Sequence, residues 1–235
     1  YSSAASDVYK RQPLEPGELL VQPELAATLR LIAEEGPEGF YAGRTAGLIA
    51  AEMRRGGGLI SEVDLASYEA VEREPVRGNY RGFGILSASP PSSGGIALLE
   101  ILNILEGYSL DGTATSAHRV IEAERRAYAD RARWLGDPDF VDIPVERLIS
   151  KSYAENIRNS IKDIATPSVE LDGPRGMSGE SEETTHYSVV DAAGNAVAVT
   201  TTLNGSYGSY VVVEGAGFLM NNEMDDFSVK PGVPN

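Results

Sequence analysis

The chain has 235 residues, 42% hydrophobic and 23% charged, an ordinary globular balance with room for one large domain or two small ones. Its formal net charge of −15 argues against nucleic acid or an anionic membrane as a partner, because phosphate binding needs clustered Lys and Arg. There is no cysteine, which excludes a disulfide framework, thiolate chemistry and any Cys-based metal site.

Residues 1–12 carry neither a helical nor a strand pattern and do not begin with Met, so they are set apart as a non-native leader. A helix is expected from Pro23, which suits a first helical position. Leu25, Leu29 and Ile32 form its stripe, and Gly36-Pro37 ends it. A second helix is expected over residues 44–55, with Leu48, Ile49 and Met53 inward and Gly56 to Gly58 as the stop. Ser61 with Asp64 reads as a capping box for a short third helix. Residues 69–73 and 79–89 read as strands, bulked by Tyr80, Phe83 and Ile85.

The Ser- and Gly-rich stretch 90–95 is a strand-to-helix turn. Without a suitably placed Lys it is not a phosphate loop. The helix after it, residues 95–106, holds the longest apolar run. Glu100 and Asn103 interrupt that run, so it cannot span a membrane. The longest helix is expected over 116–135, with Val120, Ala123, Ala127 and Tyr128 on the inner stripe and Glu122, Arg125, Arg126 and Arg133 mostly off it. His118 at its start reads as a surface residue. Asp137 and Asp139 flank Pro138 in a turn, too sparse an oxygen set for a cation loop. Helices over 145–149 and 152–161 complete a mainly helical part, residues 13–165.

Residues 166–183 change character. Pro167, Gly173, Pro174, Gly176 and Gly179 stand among acids and serines with almost no apolar periodicity, as a flexible linker does. Strand pattern begins abruptly at Thr184, passes a turn signal at 191–195, and resumes over 195–203. A hydroxyl residue at such a junction is where a self-cleaving precursor would place its new N-terminus. Once released, a threonine carries its own base, because its α-amine can take the proton from its own Oγ and titrates near neutrality. On the second strand Thr202 and Asn204 share one face and leave the strand end side by side. After the apolar run Phe218-Leu219-Met220, Glu223, Asp225 and Asp226 crowd one loop. Such carboxylates repel unless they meet water or a cation, and a substrate ammonium is such a cation. Two further strands are expected around Glu214-Gly215 within residues 207–220. Helices followed by strands indicate an α+β fold.

The run Thr184-Thr185-His186-Tyr187-Ser188-Val189-Val190-Asp191, then Thr202-Leu203-Asn204, then Asn221-Asn222-Glu223-Met224-Asp225-Asp226-Phe227-Ser228 resembles the small-subunit start of the γ-glutamyltranspeptidase family, which is grouped with the N-terminal-nucleophile hydrolases. Upstream, Pro90-Pro91-Ser92-Ser93-Gly94-Gly95-Ile96 and Leu135-Gly136-Asp137-Pro138-Asp139-Phe140-Val141 resemble the end of the family's large subunit. The resemblance implies a four-layer αββα sandwich, incomplete in this stretch. It implies that Thr184 is the nucleophile, released by autocleavage of the Glu183–Thr184 bond, with Thr202 orienting it. It gives Asn204, Glu223 and Asp226 the task of holding the α-carboxylate and α-amine of a γ-glutamyl group. Relatives often carry Gln at the Glu223 position, and either side chain can accept a hydrogen bond from an ammonium.

On that likeness residues 13–165 are the end of the large subunit, 166–183 the pre-cleavage linker and 184–235 the start of the small subunit, the two subunits forming a heterodimer after cleavage. The chain then corresponds to an internal piece of the precursor. The family's substrate-binding arginine lies upstream of it, its paired serines and oxyanion-hole glycines lie downstream, and the piece alone is expected to be inactive. The expected substrates are glutathione and other γ-glutamyl compounds, with water, amino acids or peptides as acceptors. No cofactor or metal is expected, and the compartment is expected to be periplasmic or extracellular. A cephalosporin (glutaryl) acylase-like amidohydrolase would share Thr184 and differ in the pocket. A catalytically inert fragment is the reading from outside enzymology. A Ser-His-Asp hydrolase fits poorly, because no G-x-S-x-G elbow is present and only two His exist to serve as base.

Overall fold

The structure is a computed structural model that describes residues 16–171 and 184–227. The chain forms two compact units. One comprises Tyr1–Val71 with Ser181–Met224, the other Glu72–Glu180 with Asp225–Asn235. The expectations for residues 1–12, for most of the 166–183 linker and for residues 228–235 fall outside the described residues. No helix among the described residues is long and apolar enough to cross a membrane.

In the first unit, helix α1 (Pro23–Glu35) begins on Pro23 and closes at Gly36, whose N–H reaches the Ile32 carbonyl at 2.9 Å. Its buried face is not the expected stripe. Leu29 is exposed and Thr28 is buried, because the Thr28 hydroxyl donates to the Ala216 carbonyl at 2.9 Å. A short helix that the sequence did not signal, α2 (Glu38–Tyr41), precedes α3 (Gly43–Gly56), which ends on Gly57 in the left-handed conformation. Helix α4 (Glu62–Ala66) starts with the expected capping box of Ser61 and Asp64. Ala46, Ile49 and Leu65 pack with Val213 and Ala216 into one core, flanked by Phe40, Leu48, Met53 and Phe218.

The strands expected within 207–220 do not form. This segment makes one isolated bridge, between Val212 and Leu219, flanked by backbone hydrogen bonds from the Ser209 N–H to the Met220 carbonyl and from the Met220 N–H to the Val211 carbonyl. Between those residues the Ala216 and Gly217 N–H groups both turn back to the Val213 carbonyl at 3.1 Å, with Gly215 and Gly217 at positive φ, so the chain curls onto the helices instead of extending. In the first unit the only regular sheet among the described residues is the antiparallel pair of Thr184–Val190 and Ala196–Thr202.

In the second unit, β1 (Val76–Tyr80) pairs with β2 (Phe83–Ser87) across a two-residue loop. Arg81 and Gly82 both take positive φ there, as a tight hairpin requires. This corrects the expected strand over 79–89, which ran through the turn, and the expected strand over 69–73, which lies outside both strands. Arg-Gly is a weak turn signal, so the sequence did not mark the corner. Helices α5 (Gly94–Glu106), α6 (Ala114–Trp134), α7 (Val145–Leu148) and α8 (Lys151–Ser160) follow. Ile96, Leu99, Leu135 and Leu148 pack with Val76 in one cluster. Ile104, Leu105, Ala123 and Ala154 form another.

The charges of α6 are also placed differently from expectation. Glu122 and Arg126 are buried, and the Glu122 carboxylate accepts from Arg125 and Arg126 at 2.5 Å and from the Thr166 hydroxyl at 2.6 Å. The first residues of the expected linker are therefore pinned to α6. Burial disfavours the charged Glu122, but the hydrogen bonds from Thr166 and Arg126 outweigh it and hold the carboxyl down at about 2. Glu100 on α5 is pushed the other way, above the usual carboxylate range, by burial and then by the neighbouring Asp130, with which it shares a hydrogen bond. Asp130 in turn accepts from the Tyr153 hydroxyl at 2.6 Å.

Candidate active site

The site begins with a turn. Strands β3 (Thr184–Val190) and β4 (Ala196–Thr202) are joined by the Asp191–Asn195 corner. Asp191 Oδ1 accepts from the Ala193 N–H at 2.9 Å and the Asn195 N–H at 2.8 Å, and Oδ2 accepts from Asn195 Nδ2 at 2.7 Å. Gly194 supplies the positive φ. The hydrogen bonds from Asn195, side chain first, hold the Asp191 carboxyl below its ordinary range. This corner fixes the register from Val190↔Ala196 to Thr184↔Thr202. A slip of one residue would send Thr184 to the opposite face, so a turn at the far end of the hairpin decides what Thr184 faces.

Past Thr202 the chain bends at Asn204, which takes φ 70, a left-handed conformation that asparagine tolerates. The Asn204 N–H donates to Thr202 Oγ1 at 2.8 Å. Asn222 meets this bend three times. Its N–H donates to the Leu203 carbonyl at 3.1 Å, its carbonyl accepts from Asn204 Nδ2 at 3.1 Å, and its Oδ1 accepts from the Gly205 N–H at 2.9 Å. A short 3-10 helix, Glu223–Asp226, starts immediately after, and the Asn221 Oδ1 accepts from the Glu223 N–H at 3.0 Å.

The structure thus brings Thr184 and Thr202 directly opposite one another and ties Asn204 to the residue before Glu223. Glu223 and Asp226 occupy the two ends of one short turn, with Glu223 half-buried and Asp226 exposed. Glu183 lies outside the described residues. Sequence reasoning missed Asn222 as a structural participant. Its signal was an asparagine between an apolar run and an acidic turn, a residue type whose side chain competes for backbone partners.

A cavity of about 360 Å³ opens at the strand end, lined by Thr184, Thr185, Thr201, Thr202, Leu203, Gly205 and Ser206. Its side chains offer hydroxyls and no basic group. His186 is on the same face as Thr184, two residues along, but its Nδ1 is hydrogen-bonded to Thr200 Oγ1 at 2.7 Å and the ring does not line the cavity. A hydroxyl nucleophile placed here lacks a side-chain base among the lining residues, and an α-amine on Thr184 itself would supply one. Among the described residues no cluster of His, Cys, Asp or Glu is arranged to hold a metal ion.

The gamma-glutamyltranspeptidase family model matches residues 3–235, reaching into the leader piece set apart above. The glutathione hydrolase proenzyme of Escherichia coli (strain K12) is 52% identical over 230 residues, covering 95% of this chain and 40% of that protein. The chain therefore spans about two fifths of the length of that curated relative. Among solved structures, Helicobacter pylori gamma-glutamyltranspeptidase superposes with a TM-score of 0.69 at 42% identity, over 76% of this chain and 54% of that one. Cephalosporin acylase from Bacillus halodurans superposes with a TM-score of 0.80 at 31% identity, over 97% of this chain and 40% of that one. The helix-and-strand fold is the one these enzymes share.

Proposed function

This chain belongs to the gamma-glutamyltranspeptidase family, and from that premise we propose that the protein is a self-cleaving γ-glutamyl acyltransferase and hydrolase acting on glutathione and other γ-glutamyl compounds. The observation that carries the reading is the pairing of Thr184, the first residue of β3, with Thr202 beside a hydroxyl-lined cavity. Cleavage of the Glu183–Thr184 bond gives Thr184 a free α-amine. That amine takes the Thr184 Oγ proton as Oγ attacks the γ-carbonyl of the donor. The C–N bond breaks, the proton passes to the departing amine, and a γ-glutamyl ester remains on Thr184. Water or the amine of an amino acid or peptide then attacks the ester and releases glutamate or a new γ-glutamyl product.

In this reading Thr202 orients the nucleophile, and Asn204, Glu223 and Asp226 hold the α-carboxylate and α-amine of the donor. The cleaved pieces stay together as a heterodimer within a four-layer αββα sandwich, and the protein works in the periplasm or outside the cell. Intact mass and N-terminal sequencing after incubation at neutral pH test the cleavage, and a piece beginning Thr-Thr-His-Tyr is the expected product. Thr184→Ala should abolish both processing and turnover; a variant that is still cut and active overturns the assignment.

The likeness to cephalosporin acylase supports a second reading, deacylation of a glutaryl side chain. The acidic pair Glu223 and Asp226 favours a substrate with an α-amino group, which a glutaryl group lacks. Side-by-side rates on γ-glutamyl and glutaryl amides decide between them: faster glutaryl cleavage reverses the choice.

A further inference from the structure

We infer that Asn222 is a positioning residue for the donor: its side-chain amide sets the spacing between the bend that carries Asn204 and the acidic turn that opens at Glu223. This rests on the acyl-transfer reading above and adds a residue to it.

Three hydrogen bonds join Asn222 to the bend, and two of them use its backbone, so any residue at 222 could make them. The third, Oδ1 accepting from the Gly205 N–H at 2.9 Å, requires an acceptor of this length on the side chain. The amide lies directly over Gly205, where an added Cβ would meet Oδ1 at 3.5 Å, an ordinary contact. Next to it Asn221 turns the other way and accepts from the Glu223 N–H. The two neighbouring asparagines therefore serve opposite sides: one caps the acidic turn, the other fastens that turn to the strand end. The bend itself turns on Asn204, whose left-handed φ asparagine tolerates.

The donor's α-amine and α-carboxylate are a fixed few ångströms apart, so the groups that bind them must be held at a matching spacing. A misplacement of about 1 Å in such a clamp can cost about a hundredfold in rate. The placement of Thr184 is set by another device, the Asp191–Asn195 corner that fixes the β3–β4 register. Loss of the Asn222 side chain should therefore separate donor binding from self-cleavage.

The test places Asn222→Ala and Asn222→Asp in the whole precursor and compares them with the unaltered precursor in three readouts: self-cleavage by mass, KM and kcat on a γ-glutamyl anilide, and deuterium exchange at the Gly205 amide. For Asn222→Ala we expect normal cleavage, a KM raised about tenfold or more with a smaller change in kcat, and faster exchange at Gly205. Asn222→Asp keeps the Oδ acceptor and should recover most of the donor binding and the slow exchange. An unchanged KM in Asn222→Ala overturns the inference. So does Gly205 exchange that is unchanged by Ala, or equally accelerated by Asp. If Asn222→Ala fails to cleave or to fold, the Asp variant decides: lost Gly205 protection there refutes the role, and retained protection with near-normal KM supports it. Failure of the acyl-transfer reading would appear elsewhere, as an unaltered protein inert toward every γ-glutamyl donor, while the exchange readout would still report on Asn222.

Discussion

The helices α5 to α8 and the β3–β4 hairpin are built on opposite terms. In the helical region Ile96, Leu99, Ile104 and Leu148 are fully buried, and even Glu100 and Glu122 are withdrawn from water. In the hairpin every β3 residue is exposed, including Tyr187, Val189 and Val190, and so is Val197 of β4. Packing holds the first region, and there Glu122, Arg126 and Thr166 satisfy one another away from water. The hairpin takes its geometry from a turn and a register. Substitutions in the two regions should therefore fail in different ways.

The largest effect is expected where burial is most demanding. Glu122→Ala leaves the buried Arg126 guanidinium without its carboxylate and removes the acceptor of the Thr166 hydroxyl. Breaking one side of such a buried pair costs about 3–5 kcal/mol, to be read from the midpoint of denaturant unfolding. The pH dependence has a definite sign. The folded Glu122 carboxyl titrates at about 2, below its ordinary 4.5, so its contribution is fully present above 4.5 and is lost as pH falls from there to about 2. Glu122→Ala should lack that acid-limb loss. A variant whose stability stays within about 1 kcal/mol of the parent would place Glu122 among ordinary surface ion pairs.

That same residue marks where sequence reasoning stops. The starts and stops of helices were legible because their signals are local: Pro23, the Ser61–Asp64 box and Gly57 act within one turn. The alternation that put Thr202 at the end of β4 was equally local, but β4 stops there and the left-handed bend takes Asn204 off the expected strand face. Glu122 and Arg126 read as an exposed charged face because their third partner, Thr166, comes from a stretch with no apolar pattern. Thr28 hid for the same reason, since its acceptor on Ala216 is 188 positions away. Residues 207–220 carried β-branched and aromatic bulk, yet three glycines, Gly208, Gly215 and Gly217, take positive φ, and Val213 and Ala216 pack into a helical core. The resemblance already joined Thr202 to Thr184, and the 191–195 corner supplies the register that sets them opposite one another.

A middle-sized effect is expected at Glu100. Burial and the adjacent Asp130 raise its folded-state pKa, with Tyr153 and Arg147 also facing the pair and Arg147 opposing the rise. The raised value means that its contribution is complete below the ordinary carboxylate pKa and is lost as pH climbs toward the folded-state value. One proton bound only in the folded state gives a slope of at most about 1.4 kcal/mol per pH unit. Glu100→Gln keeps a donor for Asp130 and cannot titrate. Its stability measured from pH 6 to pH 9, an interval set around the neutral range, should be flatter than the parent's. Parallel curves would show that Glu100 is ionised in the folded protein.

The smallest effect should come from the hairpin, at His186. Among the described residues its ring is hydrogen-bonded to Thr200 and, at 3.5 Å, to Ser188, on an exposed strand. An exposed cross-strand pair contributes about 0.2–1 kcal/mol, so His186→Ala should shift stability by no more than that and leave Thr184 release unchanged. Because His186 shares a face with Thr184 but stays out of the cavity, the same variant also asks whether any side chain serves as base. If the α-amine of Thr184 is the base, turnover of His186→Ala keeps the pH profile of the parent. A profile that loses its neutral limb would transfer that role to the imidazole. A stability loss of several kcal/mol would instead mean that this strand is covered in the working protein, and the contrast between a packed helical region and a register-held hairpin would then hold only for the stretch between Pro23 and Asp226.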